Sequence, residues 1–137
     1  MARQFVVQLD NRPGELAHLA RALAARGIDI RRIAGAGAGD VGCAFITTSD
    51  DAATREVLHG LGHAFVEGDP VLVEVRDEPG GLADAAERLA AAGVNICGTL
   101  VIGRRGGVVE MVFCVDDAAR AHAALRQTNV EAVGVGD

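Results

Sequence analysis

The chain of 137 residues states one pattern twice. Residues 4–69 and 70–135 align without a gap at a constant offset of 66, the separation of Pro13 from Pro79. Pro13-Gly14 returns as Pro79-Gly80, Leu23-Ala24-Ala25 as Leu89-Ala90-Ala91, and Gly27-Ile28-Asp29-Ile30 as Gly93-Val94-Asn95-Ile96. Asp50-Asp51-Ala52-Ala53 returns as Asp116-Asp117-Ala118-Ala119. A fixed period of this length sets the domain organisation before any chemistry is considered. It predicts two units, 1–69 and 70–137. A unit of about 60 residues buries only roughly 60% of its unfolded surface and is marginal alone. Gly68-Asp69-Pro70 leaves almost no linker. The units are therefore expected to pack as a pseudo-dimer, side by side through their first helices and second-strand edges, in a near-continuous sheet.

The order of elements repeats as well. Phe5, Val7 and Leu9 share one face with Gln8 on the other, and Val71, Val73 and Val75 share one with Glu74 on the other, which predicts first strands with one buried and one partly wet face. Each Pro-Gly is followed by an apolar stripe at helical spacing: Leu16, Leu19, Ala20, Leu23 and Ala24, then Leu82, Ala85, Ala86, Leu89 and Ala90. Gly27 and Gly93 end these helices. A hairpin follows. In the second unit it runs over Val94–Ile102, turns at 103–107 and returns over Val108–Val115, with Val109, Met111, Phe113 and Val115 inward and Glu110 outward. Arg32 has the parity of the inward Ile28 and Ile30, so a bulge at Arg31-Arg32 is expected to turn it out. The Asp pairs 50–51 and 116–117 read as caps of second helices rather than metal carboxylates, because an alanine-led helical run follows each. Final strands are expected near Ala64–Glu67 and Val130–Val133. Each unit is thus β-α-β-β-α-β, and the fold class is α+β, two tandem ferredoxin-like sandwiches.

Composition excludes several functions. The net charge is −6, with no Trp or Tyr, so the basic stripe and stacking aromatics of a nucleic-acid binder are missing. No apolar run approaches the ~20 residues of a membrane span, and the first residues lack a signal-peptide pattern. A cytoplasmic setting is expected. Cys43, Cys97 and Cys114 are odd in number and form no C-x-x-C pair, so they are expected to stay thiols. A symmetric hairpin turn would put Cys97 opposite Cys114. His59 and His63 have metal-ligand spacing, but Gly60 and Gly62 weaken that helix and no third ligand is evident. Ala34–Asp40 superficially looks like a nucleotide loop, yet strand residues follow it where such a loop needs a helix. No cofactor, metal or catalytic residue is assigned.

The segment Leu9-Asp10-Asn11-Arg12-Pro13-Gly14-Glu15-Leu16-Ala17, with Gly27-Ile28-Asp29-Ile30 after its helix, strongly resembles the ACT domain. Asp77-Glu78-Pro79-Gly80-Gly81-Leu82-Ala83, with Gly93-Val94-Asn95-Ile96, resembles it a second time. The resemblance spans both units and implies a small stand-alone tandem-ACT protein, regulatory rather than catalytic, that binds an amino acid where two units meet. It further implies that Asn11 of the loop faces Asn95 of the partner unit, as in serine-sensing members. The ligand residues it implies are Asn11, Arg12, Pro13, Gly14, Glu15, Asn95 and Ile96. A weaker second site would comprise Asp77, Glu78, Gly80, Gly81, Asp29 and Ile30.

The residues fit this role on their own terms. Free N–H groups at the helix start, near Gly14 and Glu15, suit a carboxylate. Asn11 suits either end of a zwitterion; the lesser alternative is that Pro-Gly only makes the turn and Asn11 an Asx-turn. In the second site Asp77 and Asp29 would bring two carboxylates together. Without a cation, such a contact at ~4 Å costs on the order of 1–4 kcal/mol, so one amino acid per chain is expected, at the Asn11/Asn95 site. The expected partners are an amino acid, a partner enzyme and a second copy in a homodimer. Two alternatives stay open: a ligand-independent dimerisation or interaction module, and an enzyme on a ferredoxin-like scaffold. The module would use the outer sheet face, expected to carry Val6, Ile46, Leu72, Val101 and Val112 beside Gln8 and Glu74.

Overall fold

The structure, a computed structural model, describes residues 2–126 and the backbone of Glu131–Val133. Two compact units divide between Glu67 and Gly68. In the first, strands β1 (Gln4–Asp10), β2 (Ile30–Ala38), β3 (Val41–Thr48) and β4 (Phe65–Gly68) form a sheet ordered β2-β3-β1-β4, with helices α1 (Glu15–Ala25) and α2 (Asp51–Leu61). The second unit repeats this with β5 (Pro70–Arg76), β6 (Ile96–Arg105), β7 (Val108–Val115) and β8 (Glu131–Val133), ordered β6-β7-β5-β8, and helices α3 (Gly81–Ala91) and α4 (Ala118–Leu125). The expected βαββαβ order is therefore the observed one. Val130, placed in the final strand by the sequence, lies outside the described residues.

Each core forms where alternate strand residues meet the helices. Phe5, Val7, Leu9 and Ile46 pack with Leu19 and Leu23 of α1 and Leu58 of α2. Val71, Val73, Val75, Met111 and Phe113 pack with Leu89 of α3 and Leu125 of α4. The inward residues of β7 are thus the expected ones. Gly27 and Gly93, at φ +70° and +74°, follow the last helical turns as expected. The helix stripe is narrower than its apolar pattern. Leu16 and Leu82 are each 49% exposed, and Ala24 and Ala90 are exposed. The sheet covers only the Leu19/Leu23 and Ala85/Leu89 lines, leaving the first leucine of each helix beyond the core.

The bulges correct other expectations. One falls between Ile30 and Arg32, at the expected place. The second hairpin has two, at Ile96/Gly98 and Val101/Gly103. The first of these pairs Gly98, not Cys97, with Cys114. All three cysteines are free thiols. The second adds a residue at Ile102, so the offset between the units grows from 66 to 67 beyond it. The gapless alignment therefore fails from this point on. Asp50 caps α2 and its counterpart capping α4 is Asp117, each accepting from an N–H three residues on. Asp116 instead accepts from the Asn95 N–H, the role Ser49 plays for Asp29. Register also moves two residues off the expected outer face. Ile46 pairs with Phe5 and is fully buried in the first core. Val101 pairs with Met111 and so shares the helix-side face. The turns shrink to Gly39-Asp40 and Gly106-Gly107, because β2 and β6 run on through 34–38 and 103–105.

Candidate functional site

The first β1–α1 loop holds five of the expected ligand residues together. Gly14 has φ +91° and is the N-cap residue of α1 with no side-chain cap. A left-handed residue without a Cβ turns the chain here and leaves the first helical turn uncovered. The Glu15 N–H reaches the Arg12 carbonyl at 3.4 Å. Among the described residues nothing accepts from the N–H groups of Gly14, Leu16 and Ala17, so Gly14 of the expected pair is an open donor, Glu15 is not, and Leu16 and Ala17 join it. Arg12 donates through Nε to Glu15 at 2.6 Å and lies 3.4 Å from Asp10. The hydrogen bond to Glu15 and the charges of Glu15 and Asp10 push the Arg12 pKa up, so the guanidinium stays charged.

Asn11 does not form a local turn bond. Its backbone N–H donates to Asp40 and its Nδ2 to the Gly39 carbonyl, both at 2.9 Å, tying the loop to the β2–β3 hairpin. Its Oδ1 accepts no hydrogen bond among the described residues. The amide rests against Gly37, where a Cβ would lie 2.5 Å from Oδ1. A cleft of about 430 Å³ opens beside it, lined by Asn11, Arg12, Leu16, Ile33, Gly37 and Cys43 among others. A larger cleft of about 730 Å³ lies against Pro13, Gly14, Glu15, His18 and His63.

The second β5–α3 loop repeats the geometry with other chemistry. Gly80 is the N-cap residue at φ +93°, and the N–H groups of Leu82 and Ala83 are open like their counterparts. Asp77 donates its N–H to the Gly107 carbonyl at 2.8 Å, so its backbone sits as Asn11 does. Its carboxylate accepts from Arg104 at 2.7 Å. The expected uncompensated carboxylate therefore has its cation. Gly81, an expected ligand residue, is buried, and a Cβ there would collide with the Arg76 carbonyl oxygen, which makes it a packing glycine. Glu78 pairs with Arg76 at 3.0 Å. The adjoining cleft of about 390 Å³ is lined by Asp77, Leu82, Val101, Arg104 and Met111 among others.

The remaining candidates lie at the other end of each unit. Asp29 and Ile30 follow α1, whose 11 residues put about 16 Å between them and the Asn11 loop. Asn95 and Ile96 follow α3 in the same way. Asn95 is exposed, and Nδ2 points to the Cys97 sulfur at 3.7 Å. Ile30 and Ile96 pack against their cores. His59 stacks edge-on against Phe65, and among the described residues no three metal-ligating side chains gather. No helix among them is long and apolar enough to cross a membrane. Sequence reasoning missed Gly37, Ile33 and Arg104. The signal that finds them is the hairpin register, which puts Gly37 opposite Gly42 and Arg104 opposite Val109.

No family model matches the sequence, and no curated protein does. Solved structures do. Protein BT0572 from Bacteroides thetaiotaomicron superposes with a TM-score of 0.67 at 23% identity, over 96% of this chain and 91% of that one. The regulatory subunit of aspartate kinase from Thermus flavus gives 0.65 at 24% identity, over 92% and 90%. The subunit from Thermus thermophilus gives 0.57 at 23%, over 91% and 89%. The chain therefore shares a tandem ACT-like fold with these structures.

Proposed function

We propose that this chain is a non-catalytic regulatory protein whose first loop binds the backbone of a free amino acid and transmits the occupancy to a partner enzyme. The observation that carries the reading is the set of groups around Asn11. Open N–H groups of Leu16 and Ala17 suit a carboxylate, and the unengaged Asn11 Oδ1 suits an ammonium. Gly14 keeps the approach to the helix start clear, since nothing lies within 4 Å of where its Cβ would be. The shared fold with aspartate kinase regulatory subunits supports regulation through a catalytic partner. A thermal-shift panel of the common amino acids tests it. A ligand at 100 times its Kd stabilises by about 2.7 kcal/mol, and Asn11→Ala is expected to remove the shift. No shift from any amino acid would sink the reading.

A ligand-independent interaction module is the second reading. Leu16 and Ile33 in one unit, and Leu82 and Val101 in the other, are exposed at equivalent edges, and such repeated apolar rows suit a protein surface. Concentration-dependent sedimentation without ligand, abolished by Leu16→Glu, would favour it.

A further inference from the structure

We infer that the Asp77–Arg104 pair is a built-in occupant of the second cleft that closes it to amino acids, and that the Asn11–Gly37 pair keeps the first cleft open. This rests on the amino-acid reading above and decides which loop serves it. The two pairs occupy the same place in the repeat. Gly37 lies opposite Gly42, the β3 partner of Leu9, and Arg104 lies opposite Val109, the β7 partner of Val75. Leu9 and Val75 each stand two residues before the loop residue that faces the hairpin, Asn11 or Asp77.

A side chain at 37 would displace the Asn11 amide, so the amide keeps this place only beside a glycine. In the second unit that position carries an arginine, and the loop residue is the carboxylate that receives it. The neighbouring Arg105 is spoken for elsewhere, paired with Glu74 and Glu110, so Arg104 is the hairpin cation turned to the loop. Asp77 and Arg104 are both well exposed, where an ion pair contributes little stability. What the pair does is fill chemistry. Its guanidinium stands where an incoming ammonium would seek an anion, and its carboxylate repels an incoming carboxylate from the open N–H groups of Leu82 and Ala83. A zwitterion would have to break the pair and still lack a neutral acceptor. The first cleft has an ion pair too, Arg12 with Glu15 at 2.6 Å, but that pair joins the loop to the helix start; the residue that faces the hairpin, Asn11, is uncharged, its Nδ2 is held by Gly39, and its Oδ1 faces no competing donor among the described residues.

The test is an amide-resolved NMR titration, with glycine as first probe and then each common amino acid, on three folded chains. In the wild type, the Leu16 and Ala17 signals are expected to move while those of Leu82 and Ala83 stay. In the double variant Asp77→Asn/Arg104→Gly both sets are expected to move, and calorimetric stoichiometry to rise from one to two. In Asn11→Asp/Gly37→Arg the first set is expected to fall silent. If that chain does not fold, Asn11→Asp alone carries this arm, with affinity lowered at least ten-fold. Movement of both sets in the wild type overturns the inference and leaves the amino-acid reading standing. So does a second loop that stays silent in Asp77→Asn/Arg104→Gly while the first binds. If no chain responds to any amino acid, the functional reading falls and this inference falls with it.

Discussion

At the start of α1 a neutral amide rests against a glycine, while at the start of α3, at the same point of the repeat, a carboxylate holds an arginine. Apart from Gly81, whose counterpart is Glu15, what fixes the backbone there is common to both. Each loop turns on a left-handed glycine, leaves the N–H groups of the second and third helical residues open, and ties the residue three before that glycine, Asn11 or Asp77, to a hairpin carbonyl. The fold therefore demands Pro-Gly and the strand register but is indifferent to the charge at 11 and 77. Residues the fold does not constrain are the ones free to diverge, and the divergence is concerted across two strands. A duplicated scaffold has kept its cores alike and altered one corner.

The comparison breaks first if the cores are not alike. Leu23 and Leu89 are equivalent and both fully buried. Truncating either to alanine is expected to cost about 2–5 kcal/mol, the usual range for a buried leucine. Urea unfolding of Leu23→Ala and Leu89→Ala measures this. A loss below roughly 1 kcal/mol in one alone would mean that the units differ in packing as well as in loop chemistry.

Two loop glycines at neighbouring positions of the repeat sharpen it further. In Gly81→Ala the new Cβ meets the Arg76 carbonyl oxygen, an overpacked site expected to cost roughly 1–3 kcal/mol or more. In Gly14→Ala the Cβ meets nothing, and the penalty is the left-handed backbone alone, about 1–2 kcal/mol. The first variant is expected to melt lower than the second. The reverse order would mean that α3 can shift away from β5 without loss.

A smaller effect tests the one-residue slip. The gapless alignment makes Asp116 the counterpart of Asp50, whereas the hydrogen bonds make it Asp117. Asp50→Ala and Asp117→Ala are each expected to cost about 1 kcal/mol as lost caps. Asp116→Ala is expected to cost less, since Asp116 braces the Asn95 N–H rather than a helix end. Equal losses at 116 and 117 would restore the constant offset.

How far the molecule was legible follows from which rules carry distance. Period-2 strands, the stripe behind Leu19 and Leu23, the capping aspartates and the Pro-Gly turns are local, and each lies where the residues imply. The bulge at Arg31 was legible because Arg32 would otherwise face a core. The bulge at Ile102 was not, because apolar residues on both sides hide a change of face. Both misplacements in the second hairpin descend from such a bulge: Cys97 one step from Cys114, and Val101 on the wrong face. The loop chemistry was half legible. Asn11 and Asp77 stand out in sequence, but Gly37 and Arg104 acquire meaning only once the register sets them beside the loops.

The smallest contrast concerns charge at the sheet margins. In the second unit one cation, Arg105, receives two carboxylates, Glu74 and Glu110. In the first unit one carboxylate, Glu67, receives two cations, Arg55 and Arg3. The hydrogen bond from Arg55, above all, and that from Arg3 outweigh partial burial and hold the Glu67 pKa below its ordinary value near 4.5. A carboxylate whose folded pKa is depressed binds fewer protons when folded than when unfolded. Its contribution is therefore complete above the unfolded value and is lost as pH falls through the folded one. Both arginines are substantially exposed, so solvent screening keeps the effect to about 1 kcal/mol or less. Glu67→Gln is expected to melt slightly below the wild type at pH 7, and the gap is expected to close as the pH falls from about 5 toward 3. High salt at pH 7 is expected to narrow the same gap. A gap that stays constant from pH 7 to pH 3 would mean that Glu67 acts by packing and not by charge, and the two margins would then differ in shape alone.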